Sequence, residues 1–255
     1  MPELLETLRY EERGDVATVW LLRPLLNMQM VRELTGVCDH LEDESGCKVV
    51  VFRGTDGRFS QGIDFEEFRP DKPMDIHGFN KWEKVCVRIE RLPKITVAAL
   101  EGAVIGGGMQ LALVCDARLA AGDLQMQLNE VRLGFLPGMA TFRLAKYVGL
   151  GHAKRIIMQC PVLSAEEALR LGLIDEVVGA GSRDDLDAAV AATIARFRPI
   201  HPVTVALARR LLNECYAAEF EDAIGHFLAA QHRAVSQTAF RKTVQQHQPD
   251  RDQKD

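Results

Sequence analysis

The stretch ITVAALEGAVIGGGMQLALVCDARLAA, residues 95 to 121, decides the fold. Ile95–Leu100 follows Pro93, is unbroken by charge and is rich in β-branched residues, which suits a strand buried on both faces. Gly106, Gly107 and Gly108 then open a helix-like run, MQLALVCD, and Ala117–Ala121 reads as the next strand. Working outward, Val16–Leu22 (VATVWLL) and Lys48–Arg53 (KVVVFR) have the same buried-strand character. Between them Met28–Leu41 carries Met30, Val31, Leu34, Val37 and Leu41 at helical spacing, and Phe79–Leu92 is a second amphipathic stretch. Strands alternating with helices imply an α/β fold of parallel strands joined by right-handed crossovers.

Downstream the character changes. Ser164 stands as the N-cap of a helix with Glu167 in the capping-box position. After Leu173–Val178 the Gly179–Ser182 loop breaks the chain, and Asp184–Val244 is almost wholly helical in pattern, interrupted at Pro199–Pro202. The expected organisation is an α/β core over residues 1–195 and a C-terminal helical region over 196–255, with polar, frayed residues from Gln245 to Asp255.

Bulk properties exclude several classes. The chain has 255 residues, 47% hydrophobic and 26% charged, which leaves ample material for a core. A net charge of −5 argues against a nucleic-acid partner. No apolar stretch approaches the roughly 20 residues that span a bilayer. The acidic start MPELLETLRYEERG lacks the apolar segment of a signal peptide, so the expected location is cytoplasmic. Six scattered cysteines without CxxC pairing read as reduced thiols, and no His/Cys/Asp cluster has metal-ligand spacing.

Two glycine-bearing segments follow strands: Gly57–Asp64 (GRFSQGID) and Gly102–Gln110 (GAVIGGGMQ). Such glycines let backbone approach a ligand, and a helix N-terminus favours negative charge; tight strand–helix packing is the plainer explanation. A dinucleotide fingerprint from Gly106 would need glycine where Leu111 stands. A P-loop from Gly102 to Gly107 would need lysine where Gly108 stands. Nucleotide phosphates are therefore not what these glycines serve. Ser60 and Cys115 have no visible base beside them, so covalent catalysis is not expected. His152, in Gly151-His-Ala-Lys, reads as the first turn of a helix.

Together, FSQGIDF, GGGMQLALVCDARLA and NEVRLGFLPGMA make the chain resemble the crotonase superfamily, also called the enoyl-CoA hydratase/isomerase family. That family's usual forms are roughly AGADL, GGGxELAxxCD and PExxLGxxPGxG. Order and spacing agree from Arg23-Pro-Leu-Leu-Asn27 to Gly172-Leu-Ile-Asp-Glu-Val177, and the helical tail agrees in general character. The resemblance implies a spiral of ββα units with a helical C-terminal region that makes homotrimers, often paired into hexamers. It implies a thioester of CoA or of an acyl-carrier protein as substrate, with no resident cofactor. It also implies an oxyanion hole from the backbone N–H groups of Ile63 and Gly107. Arg58, Ser60, Gln61, Gly62, Asp64, Gly106 and Lys242 take its substrate- and CoA-binding positions, although Asp64 reads more simply as organising its own loop.

Hydratases of the family use two glutamates to hold and activate a water. Here those positions are Gln110 and Glu130. An amide accepts no proton at ordinary pH, whereas a carboxylate in a partly apolar pocket can be raised toward the working range. Glu130 alone therefore suits a double-bond shift in an enoyl thioester. Hydration with Gln110 orienting the water, decarboxylation of an acyl thioester, and a lapsed acyl-CoA-binding subunit are the alternatives.

Overall fold

A computed structural model describes residues 5–67, 76–179 and 183–247. They fall into two compact units, Met1–Phe197 and Arg198–Asp255. In the first, β1 (Leu8–Arg13), β2 (Val16–Leu21), β3 (Leu25–Leu26) and α1 (Met28–Asp43) lead to β4 (Val49–Arg53), β5 (Gly62–Ile63) and α2 (Ile76–Arg91). Next come β6 (Ile95–Leu100), β7 (Ala103–Ile105), α3 (Gly107–Leu113), β8 (Ala117–Ala121) and β9 (Gln125–Gln127). A 3₁₀ turn at Glu130–Leu133, α4 (Ala140–Gln159), β10 (Leu163–Ser164), α5 (Ala165–Arg170), β11 (Glu176–Val178) and α6 (Arg183–Phe197) complete it. The pattern is a spiral: a long strand, a short strand and a helix recur as β2–β3–α1, β4–β5–α2, β6–β7–α3 and β8–β9–α4.

The long strands form one six-stranded sheet in the order β1-β2-β4-β6-β8-β11, parallel throughout except for the β1–β2 hairpin. Register runs Val16 to Val49 to Ile95, and Val97 to Ala117. The short strands pair separately, β3 with β5 and β7 with β9, and so line one side of the spiral. Strands β6 and β8 are buried along their whole length, as expected of central strands covered on both faces. Burying the apolar surface of side chains such as Phe52, Phe59 and Ile95 is the main stabilising term.

The expected strands and helices reappear within a residue or three. Two features differ from the reading above. β1 carries Arg9, Glu11, Glu12 and Arg13, a charged edge strand with only Leu8 fully buried. The helical stretch from Asp184 breaks more often than Pro199–Pro202 alone suggests. The second unit holds α7 (Pro202–Glu214), α8 (Phe220–Val235) and α9 (Thr238–His247), with Pro202 opening α7 where its missing N–H costs nothing. Ser164 caps α5 as read, its hydroxyl accepting from Glu167 N at 3.2 Å. His152 follows a break inside α4 at Gly149 (φ 72°, ψ 162°), so a helical turn does restart beside it. Residues 180–182 of the expected loop, and 248–255 of the expected frayed end, lie outside the described residues. Among the described residues no helix is long and apolar enough to cross a membrane.

Candidate active site

The short strands and the helix starts that follow them surround a cavity of about 830 Å³ in the first unit. Its wall includes Leu26, Ile63, Trp82, Gly107, Gln110 and Glu130, drawn from successive turns of the spiral. Leu26 and Ile63 are register partners in the β3–β5 pair, and Asp64 N donates to Leu26 O at 2.9 Å behind them.

Each glycine of the triplet answers a different steric demand. Gly106 sits at φ 55°, ψ −119°, and a Cβ there would lie 2.9 Å from Glu130 Oε1. At Gly107 a Cβ would meet Leu26 Cδ1 at 2.5 Å, and the Trp82 ring lies 3.6 Å off. At Gly108 it would strike Ser60 Cβ, also at 2.5 Å. Only bare backbone brings the start of α3 this close to the cavity. The first N–H groups of a helix have no partner within it, so Gly107 opens α3 with its amide available.

Glu130 begins the 3₁₀ turn that Gly134 closes in the left-handed region at φ 88°. Its side chain is on the cavity wall, the residue is only 4% exposed, and Oε2 has no hydrogen-bond partner among the described residues. Burial pushes its carboxyl above the usual range, and the backbone N–H groups of Glu130 and Asn129 only partly oppose that. Gln110 is equally buried, and its Oε1 is likewise unpartnered. So is Nε1 of Trp82. Buried polar atoms are normally satisfied, so three exceptions on one cavity wall single it out as the candidate site.

A second carboxylate on the wall, Glu83, escaped the sequence reading. Both its oxygens are engaged: Oε1 accepts from Met139 N at 2.9 Å and Oε2 from Arg143 at 3.0 Å. Arg143 is buried and also reaches Glu90 at 3.5 Å, so it clamps α4 against α2. This makes Glu83 a brace for the wall, in contrast to the open Glu130. The nearest sequence signal was the seven-residue spacing of Glu83 and Glu90 on one helix face, which does not say whether that face meets solvent or a cavity.

Other sequence candidates divide clearly. Gln61, Gly62 and Gly106 line the cavity. Ser60 is fully buried and spent within the fold: its hydroxyl donates to Pro24 O at 3.2 Å and accepts from Gly62 N at 3.3 Å. Asp64 caps its own loop, accepting from Glu66 N at 3.0 Å. Arg58 is exposed and stands off the cavity wall among the described residues. Lys242 is an exposed residue of α9 in the second unit.

Residues 11–252 match the model of the family described as enoyl-CoA hydratase/isomerase. The short-chain-enoyl-CoA hydratase of Clostridium acetobutylicum is 32% identical over 244 residues, covering 90% of this chain and 92% of the relative. Among solved structures, an enoyl-CoA hydratase from Bacillus anthracis shares the fold with a TM-score of 0.86, at 24% identity over 94% of this chain and 95% of its own. A Thermobifida fusca protein solved in complex with CoA superposes with a TM-score of 0.79, at 26% identity, covering 90% of this chain and 93% of its own.

Proposed function

The chain belongs to the enoyl-CoA hydratase/isomerase family, and from that premise we propose that it shifts the double bond of an enoyl-CoA thioester with Glu130 as its single base. One observation carries this reading: of the three carboxylates on the cavity wall, Glu67, Glu83 and Glu130, only Glu130 is buried with an unpartnered oxygen, and burial raises its proton affinity. Glu130 takes a proton from C2 of a 3-enoyl thioester. The electron pair spreads over a dienolate whose charge rests on the thioester oxygen. The same carboxyl then returns the proton to C4, giving the 2-enoyl thioester. The N–H groups of Ile63 and Gly107, both on the cavity wall, receive the enolate oxygen. Such a donor is worth about 3 kcal/mol of transition-state stabilisation. The CoA-bound neighbour supports a CoA carrier. The helices from Arg198 onward, with Leu212, Tyr216, Phe220 and Leu228 exposed, serve assembly into trimers as the resemblance implies.

Hydration is the second reading. The names of the relatives favour it, and Gln110 Oε1 and Glu130 Oε2 are two open acceptors that a water could satisfy together. Incubation with 3-hexenoyl- and 2-hexenoyl-CoA in deuterated water, followed by product mass, separates the two. Isomerisation exchanges C2 and C4 protons and adds no oxygen. Gln110→Glu is expected to raise hydration relative to isomerisation, and an unchanged ratio would remove Gln110 from the choice of reaction. Binding of both thioesters without exchange or hydration would leave an acyl-CoA-binding subunit.

A further inference from the structure

We infer that Glu67 is a positioning residue: its carboxylate ties the segment that carries Ile63 to the start of α1 and so fixes where the Ile63 amide points. This rests on the oxyanion hole proposed above. Glu67 Oε2 accepts from Met28 N at 2.7 Å, across a separation of 39 residues. Met28 is the first residue of α1, and no acidic residue stands in the first turn of that helix. Glu67 therefore brings, from a distant segment, the negative charge that a helix N-terminus favours and an acceptor for its first amide.

The bond is the last of three ties between two short runs of chain. Gln61 N donates to Pro24 O at 2.6 Å, Asp64 N donates to Leu26 O at 2.9 Å, and Met28 N donates to Glu67. Leu26 and Ile63 are partners in the parallel β3–β5 pair. There Leu26 bonds to a neighbour of Ile63, so Ile63 turns its own N–H away from β3. Each of these strands has only two residues, so few bonds hold that direction. Of the three ties, only the one from Glu67 is made by a side chain. Glu67 ends the 3₁₀ turn Phe65–Glu67 that Asp64 caps, so any slack at Glu67 reaches Ile63 through one short turn. A donor to a developing oxyanion is sensitive to its placement. Glu67 is exposed with Oε2 engaged, which separates it from the buried, open Glu130.

Acetoacetyl-CoA tests this in the full chain. On enolisation it gives its C2 proton to solvent, and its enolate absorbs in the near ultraviolet. The enolate-to-keto ratio of the bound thioester at fixed pH therefore reads the hole without turnover. Glu67→Ala is expected to lower that ratio by about fivefold, with hexanoyl-CoA affinity held within about twofold by calorimetry. Glu67→Asp keeps the charge but is one methylene short, and it should lose as much; it decides if Glu67→Ala does not fold. Glu67→Gln keeps an acceptor oxygen within reach and should stay within about twofold of the unaltered chain. An unchanged ratio in either folded variant, or a loss in Glu67→Gln as large as in Glu67→Ala, would overturn the inference. So would a fall in hexanoyl-CoA affinity as large as the fall in the ratio. An unaltered chain that does not enrich the enolate over that of free acetoacetyl-CoA sinks the oxyanion hole itself.

Discussion

Two glutamates in the first unit are buried to nearly the same extent, Glu33 at 5% and Glu130 at 4% exposure, and their surroundings are opposite. Glu33 lies on α1 and accepts five hydrogen bonds: from Glu6 N, Thr7 N, Thr7 Oγ1, Leu8 N and Gln29 Nε2, at 2.7–3.1 Å. Burial by itself would raise its carboxyl, but the bonds from Thr7, Gln29 and Glu6 outweigh it and hold the group below the usual range. Glu130 is desolvated without that compensation, so its carboxyl is raised. Saturating a buried carboxylate makes it a fastener, here for the edge strand β1. Leaving one oxygen open makes it a group that can take up a proton. Burial is common to both; the number of donors decides the role.

The comparison breaks most visibly if both charges are removed in turn. Glu130→Gln is expected to lower turnover by about a thousandfold, the usual scale of a lost general base, with CoA-ester affinity held within about twofold. Steady-state rates and calorimetry read the two quantities, and full retained activity would end the single-base account. Glu33→Gln should leave turnover near that of the unaltered chain yet cost about 2–3 kcal/mol in urea unfolding, because an amide cannot accept from every donor around it. Hydrogen exchange should show Thr7 and Leu8 losing protection first; unchanged stability would mean that β1 holds without its fastener.

The smallest effect is in pH. A folded-state value below the unfolded one, as at Glu33, contributes stability above about pH 4.3 that is lost as pH falls through the folded value. At Glu130 the folded value is raised, so stability falls as pH climbs from about 4.3 through it, while activity rises over the same interval as the base deprotonates. Each slope is at most about 1.4 kcal/mol per pH unit. The Glu33→Gln variant should flatten the acid limb and Glu130→Gln the limb above it. Identical limbs in all three proteins would erase the distinction.

Much of this architecture was legible in the sequence because the central strands announce themselves. ITVAAL and VVVF have no polar face to confuse with a surface helix, and Ser164 marks a helix start with its side chain, whereas the cap that Asn27 supplies to α1 emerged only in the structure. β1 was hidden because its burial is one-sided and the residues at its start are held by a glutamate about two dozen residues away. The short strands β3, β5, β7 and β9 span only two or three residues, too few to show any period. At the site, the glycine triplet, Gln110 and Glu130 stood out through motif resemblance. Trp82 and Glu83 did not, since α2 is amphipathic and its sequence does not say which turn faces a cavity.

The order of the sheet has a bearing on synthesis. From β2 onward each parallel strand adds beside its predecessor in the order the chain is made, so a nascent chain can extend the sheet at one growing edge. The cavity wall, however, takes Leu26, Ile63, Gly107 and Glu130 from four successive windings. A ribosome-bound fragment ending before Asn129 therefore has most of the sheet but lacks Glu130, the base of the proposed reaction. The last of these windings to emerge carries the carboxylate on which the proposed reaction rests.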